Sequence, residues 1–136
     1  MPAEAGPPRA TPAARASVLG HPLDPVDLET AARRVLAFAR DDVASLVVTL
    51  NPEIVVRSRD DPRLRAAIAG ARLCVADGVG VVWAARRAGV ALPGRVPGVE
   101  LAARVLELGG AELPTYFLGG RPGVAERAAA EAHRRW

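Results

Sequence analysis

Ser45-Leu46-Val47-Val48-Thr49-Leu50-Asn51-Pro52-Glu53 is where the fold can be read. Ser45 to Leu50 is an apolar, β-branched block and predicts a strand. Pro52 cannot continue a central strand, but it suits the first turn of a helix. Asn51 then becomes the cap, and Glu53 to Ser58 begin a helix. A second block, Arg72 to Ala76, has the same strand character and gives way to Asp77-Gly78-Val79-Gly80. A helix is predicted from Gly80 to Arg87, with Gly89 as its stop. In open α/β sheets, ligands bind beyond the carboxyl ends of the strands. Two strands that both end in polar residues therefore predict one site.

The pattern extends outward from these blocks. Ser17 to Gly20 predict a short first strand, and His21-Pro22-Leu23-Asp24-Pro25 a turn-rich link, with His21 a turn residue. Asp27 caps a helix from Leu28 to Arg40, with Leu28, Ala32, Val35, Leu36 and Ala39 on its inner face. Asp61-Pro62 start another helix, with Leu64, Ala67, Ile68 and Ala71 inward. Val90 to Pro97 are irregular. Gly98 to Leu108 predict a helix with Val99, Ala102, Val105 and Leu106 inward. Thr115 to Leu118 predict a strand, and Val124 to Arg135 a final helix. The alternation predicts an α/β fold, Rossmann-like, with a mostly parallel sheet and helices on both faces. No strand follows the last helix, so the sheet is expected to be incomplete on its C-terminal side. Residues 1–16, rich in Pro and Ala, predict a disordered tail, and residues 17–136 one domain.

A chain of 136 residues, half of them apolar, suits a single core. All 18 basic residues are Arg, and the net charge is only +3. With aromatics at 4%, that small excess makes nucleic acid a poor partner. Cys74 stands alone and reads as a small buried hydrophobe. Neither a signal peptide nor a run long enough to span a bilayer is evident, which predicts a cytoplasmic protein, at most peripheral to the inner membrane face. Neither D-x-D nor a zinc-binding cluster occurs in the sequence, and no cofactor is expected. An unfinished sheet edge allows homo-oligomers.

Each candidate site residue has two readings. Asp77, before Gly78 and Gly80, suits a general base that accepts a hydroxyl proton. It also suits a helix cap, which needs no ligand. Thr49 and Asn51 alternate on one face and can hydrogen-bond sugar hydroxyls or an acetamido group, yet Asn51 is equally a helix start. Arg95 can grip phosphate in a bidentate fashion or simply be solvated. Gly119 and Gly120, ahead of Pro122, resemble a phosphate-approach turn at a helix N-terminus, without the full G-x-G-x-x-G spacing. That incomplete fingerprint argues against a nucleotide-dependent oxidoreductase.

Taken in order, four stretches resemble the WecG/TagA/CpsF family, glycosyltransferase family 26. They are Thr49-Leu50-Asn51-Pro52-Glu53, Asp77-Gly78-Val79-Gly80-Val81-Val82, Arg95-Val96-Pro97-Gly98-Val99-Glu100-Leu101 and Phe117-Leu118-Gly119-Gly120-Arg121-Pro122-Gly123-Val124-Ala125. The resemblance spans Val18 to the end. It implies a metal-independent, inverting transfer of an N-acetylmannosamine-type sugar from a UDP-sugar donor. The implied acceptor is a polyprenyl-diphosphate-linked sugar, in cell-surface polysaccharide or teichoic acid synthesis. It further implies Asp77 as the base, Thr49 and Asn51 at sugar or acceptor, Arg95 near the diphosphate, and Gly78, Gly119 and Gly120 in substrate contact. Family members usually run well beyond this length. The other outcome is a truncated, non-catalytic module that binds a nucleotide sugar or a partner.

Overall fold

The computed structural model describes residues 14–136. The expected tail lies outside the described residues as far as residue 13. At its end, Arg15 and Ala16 belong to the fold: Ala16 opens a strand, and Arg15 pairs with Asp24 at 2.8 Å.

β1 (Ala16–Val18) and β2 (His21–Leu23) form an antiparallel hairpin, with Val18 opposite His21. Leu19 and Gly20 make the turn, at φ +53° and +79°. Positive φ at both central residues is the geometry whose twist matches a tight hairpin. His21-Pro22-Leu23 is thus a strand rather than a link. The chain leaves it at Asp24, whose amide donates to the Cys74 carbonyl at 2.7 Å.

α1 (Leu28–Ala39) starts at Asp27, whose side chain accepts from the Thr30 amide at 2.8 Å. β3 (Val47–Leu50) and β4 (Leu73–Ala76) pair in parallel, with Thr49 opposite Val75 and Leu50 opposite Ala76. Between them lie α2 (Pro52–Ser58) and α3 (Pro62–Ala69), capped by Asn51 and Asp61. α4 (Val79–Arg87) and α5 (Gly98–Gly109) follow β4. A 3-10 turn, Gly110–Glu112, precedes α6 (Val124–Arg135).

β4 is apolar throughout because both its faces are covered. Leu73 and Val75 pack with Ala31 and Ala32 of α1 and Leu101 of α5. Cys74 and Ala76 face the other way, onto Val55 of α2, Ile68 of α3 and Val81, Val82 and Ala85 of α4. Helices therefore cover both faces, as expected. The sheet itself is smaller than expected: among the described residues there is one parallel pair and one antiparallel pair. Thr115 to Leu118 form no strand. The segment has strand-forming side chains but no paired neighbour, and Tyr116 and Leu118 are 86% and 89% exposed. Three inner faces also turn out differently. On α5, Val99 and Ala102 face out and Leu101 faces in; on α1 and α3, Ala39 and Ala67 are exposed.

Burial of the Cys74 thiol pushes its pKa up to about 12, with the Asp24 charge adding to the effect, so it stays protonated and inert. His21 is buried, and its Nε2 lies 2.9 Å from Ser58 Oγ. Ser58 donates its single proton to the Val55 carbonyl at 2.7 Å, so His21 must be the donor to Ser58. Burial, and then the Arg65 charge, lower the imidazole pKa below 6.5. The unfolded chain therefore takes up the proton first as pH falls. The stability tied to neutral His21 is complete above about pH 6.5 and is lost below it. Urea midpoints between about pH 8 and about pH 5 should fall with acidity more steeply for the parent than for His21→Asn. Equal slopes would remove His21 as the cause.

Candidate functional site

The site forms where β3 and β4 end. The Asp77 amide donates to the Leu50 carbonyl at 2.8 Å, which fixes the residue after β4 against the end of β3. Beyond α4, the chain returns to the outer edge of β4, where the Val96 amide donates to the Ala76 carbonyl at 2.8 Å. That return brings the first residue of α5 to the carboxylate. The Gly98 amide donates to Asp77 Oδ2 at 3.1 Å. Asp77 is half-buried, and its Oδ1 has no hydrogen-bond partner among the described residues. One oxygen is held and the other is not.

Thr49 stands beside this pair. A Cβ at Gly98 would lie 2.9 Å from Thr49 Oγ1 and 3.2 Å from its Cγ2. Only glycine lets α5 approach β3 this closely. Gly98 is thus a positioning residue that the sequence did not single out. Its signal in the sequence is Pro97-Gly98 at the opening of a helix, just after the charged Arg95.

Asn51 acts as the cap of α2: its Oδ1 accepts from the Ile54 amide at 2.8 Å. Its side-chain NH2 makes no hydrogen bond among the described residues. Gly78 has φ +85°, so the chain can turn from Asp77 into α4 without strain. A Cβ there would lie 3.4 Å from Pro52 Cδ. At Gly80 the approach is closer, 2.7 Å from Pro52 Cγ. The two glycines let the starts of α2 and α4 pack together beneath the site. Gly80→Ala should cost about 1–3 kcal/mol by overpacking, against a helix-propensity gain of at most about 1 kcal/mol. A denaturation midpoint equal to or above the parent's would show that Pro52 yields.

Arg95 is exposed and has no ion-pair partner among the described residues. It adjoins the anchored Val96 and makes no hydrogen bond or ion pair with Asp77. Gly119 and Gly120 take φ +108° and +79° in the turn before α6. They line an open hollow of about 500 Å³ with Thr115 to Gly123. Thr49 lines a different, more apolar one of about 520 Å³, with Val47, Gly98 and the segment Thr115 to Phe117. The structure brings together Thr49, Asn51, Asp77, Gly78 and Gly98. Arg95 makes no hydrogen bond or ion pair with Asp77, and the hollow of the Gly119-Gly120 turn adjoins that of Thr49 through Thr115, Tyr116 and Phe117.

This arrangement defines an α/β protein with polar residues gathered at the carboxyl ends of two parallel strands, where such folds hold their ligands. Residues 16–136 match the Glycosyl transferase WecG/TagA/CpsF family, and the chain belongs to that family. Membership implies glycosyltransferase activity in cell-surface polysaccharide synthesis, with a sugar donor and an acceptor as substrates. Among the described residues, no helix is long and apolar enough to cross a membrane.

Proposed function

We propose that the protein transfers an N-acetylmannosamine-type sugar from a UDP-sugar to a polyprenyl-diphosphate-linked sugar, with inversion and without a metal ion. Asp77 Oδ1 takes the proton of the acceptor hydroxyl as that oxygen attacks the anomeric carbon. The anomeric carbon–oxygen bond breaks on the opposite side, and UDP leaves with the electron pair. The Gly98 amide orients the base through Oδ2. Thr49 and the Asn51 side-chain NH2 hydrogen-bond the sugar or acceptor, and Gly78 keeps the approach beside the carboxylate open. Arg95 and the backbone amides at Gly119 and Gly120 neutralise the charge on the departing diphosphate. The observation that carries this reading is a strand-end carboxylate with one oxygen held and one unpartnered, beside Thr49.

The test is a transfer assay with UDP-N-acetylmannosamine and a short lipid-diphosphate-linked sugar, with and without chelator. The expected product is β-linked, UDP forms one for one, and the chelator changes nothing. Retained anomeric configuration, or hydrolysis alone, overturns the proposal. One observation favours a second reading. Asp77 lines neither the hollow of the Gly119-Gly120 turn nor that of Thr49, an arrangement that suits a nucleotide-sugar-binding module without turnover. Saturable UDP-sugar binding with no transfer would select it.

A further inference from the structure

The outward face of α4 carries Val79, Trp83, Arg86 and Arg87. Spacings of four, seven and eight place them on one stripe. Val81, Val82 and Ala85 are buried on the opposite side. Val79 is 77% and Trp83 65% exposed. The Arg87 guanidinium lies over the Trp83 ring, 5.6 Å from its centroid. Neither Arg86 nor Arg87 has an acidic partner among the described residues. The start of α4 packs onto Pro52 of α2, and α2 itself carries the exposed Val56 and Arg57 with one acid, Glu53.

We propose that this face docks on an anionic lipid surface. Val79 and Trp83 enter the boundary between headgroups and acyl chains, and Arg86 and Arg87 meet the lipid phosphates. Single exposed apolar side chains need no explanation. A Trp and a Val sharing one stripe with two unpaired Arg is a different matter. Indole has an apolar body and a polar tip that suit the interface, and Arg extends its charge to the headgroups while its stem stays on apolar surface. The charge is complementary to negative lipid, not to neutral lipid. So small a patch gives reversible binding rather than permanent anchorage.

The orientation has a consequence for the proposed reaction, and to that extent the inference rests on it. Val79 is two residues beyond Asp77, and the exposed Val99 follows the Gly98 that bonds Asp77. Docking at the Val79 end of this face brings the strand ends close to the headgroups, where a lipid-linked acceptor would be presented. Binding to the surface does not itself require Asp77.

The experiment uses Trp136→Phe, which leaves Trp83 as the sole indole reporter of the two in the chain. Vesicles of phosphatidylglycerol with phosphatidylcholine are compared with pure phosphatidylcholine, at low and at high salt. Trp83 emission should shift to the blue and be quenched by brominated lipid on the anionic vesicles only, and less so at high salt. Trp83→Ala and the pair Arg86→Glu, Arg87→Glu should each lower partitioning about 10-fold, read by sedimentation. Equal binding to neutral vesicles overturns the proposal, and so does full binding by the double Glu variant. Self-association that Trp83→Ala abolishes, with no vesicle binding, overturns it in favour of a contact between copies. Vesicle binding without sugar transfer from any donor supports the surface and rejects the reaction.

Discussion

Asp77→Asn should lower sugar transfer on the order of 10²- to 10⁴-fold while leaving the protein folded. Asn has the shape of Asp, and its amide oxygen can still accept from the Gly98 amide, now 3.1 Å from Oδ2. The backbone bond from residue 77 to Leu50 does not involve the side chain at all. What changes is the atom at the Oδ1 position: with the oxygen spent on Gly98, an NH2 stands there. It donates where the reaction needs an acceptor. The loss should therefore fall on kcat, with KM for the donor little altered. Melting temperature should stay within a few degrees of the parent. Transfer at the parental rate would reject Asp77 as the base. A collapse in stability would assign the carboxylate to holding α5 in place. Gly98→Ala gives a second view of the same geometry. Its added carbon would press on Thr49 and displace the amide that orients Asp77. A drop in kcat there with Asp77 intact would place the positioning in the approach of α5 to β3.

The parts of this fold legible from the sequence are those decided by neighbours in the chain. Asp27, Asn51 and Asp61 each accept from an amide three residues on, at Thr30, Ile54 and Leu64. That chemistry is local, and the residue types announce it. β4 was legible as well, because a strand covered on both faces has no polar alternation to hide it. The hairpin was not. His21-Pro22-Leu23 looks like a turn, and only its pairing with β1 and the reach of Asp24 to Cys74, 50 residues away, make it a strand. The inner face of α5 was misjudged for a related reason. Its rotation is set where Gly98 meets Thr49 and Asp77, and that turns Leu101 inward and Val99 outward. Thr115 to Leu118 show the limit from the other side. Strand propensity does not make a strand where no partner supplies the ladder. At the candidate site, the rule of strand ends points to Thr49, Asn51 and Asp77, which the fold does bring near one another. It could not show that Gly98 bonds Asp77 or that Arg95 forms no hydrogen bond with it.

The largest loss of stability should follow Asp24→Ala. Asp24 is buried, and it stands in for a strand along the outer edge of β4. Its amide donates to the Cys74 carbonyl at 2.7 Å, and its Oδ2 accepts from the Cys74 amide at 2.8 Å. Farther along that edge, Val96 bonds Ala76, so one side chain and one loop together satisfy a strand that would otherwise lie open. The same carboxylate holds Arg15, with Nε at 3.0 Å from Oδ1 and an NH2 nitrogen at 2.8 Å from Oδ2. Arg15 in turn donates to the Ala71 and Arg72 carbonyls at 2.9 and 3.0 Å. Removing the carboxylate orphans a buried amide and the inner end of an ion pair at once. An orphaned buried donor costs about 1–3 kcal/mol, and breaking a buried pair about 3–5 kcal/mol. The Arg15 side chain is 33% exposed and regains water, so the lower end applies: a loss of about 3 kcal/mol, read as a lower denaturant midpoint at unchanged slope. Asp24→Asn separates the two parts. It keeps an oxygen for the Cys74 amide but drops the charge, and should lose about half as much. Arg15→Ala leaves the Cys74 bonds in place and should cost about 1 kcal/mol, in keeping with a partly solvated partner. If Asp24→Ala stayed within about 0.5 kcal/mol of the parent, the range of ordinary surface changes, the hairpin would be held to β4 by Leu23 and Val18 packing alone.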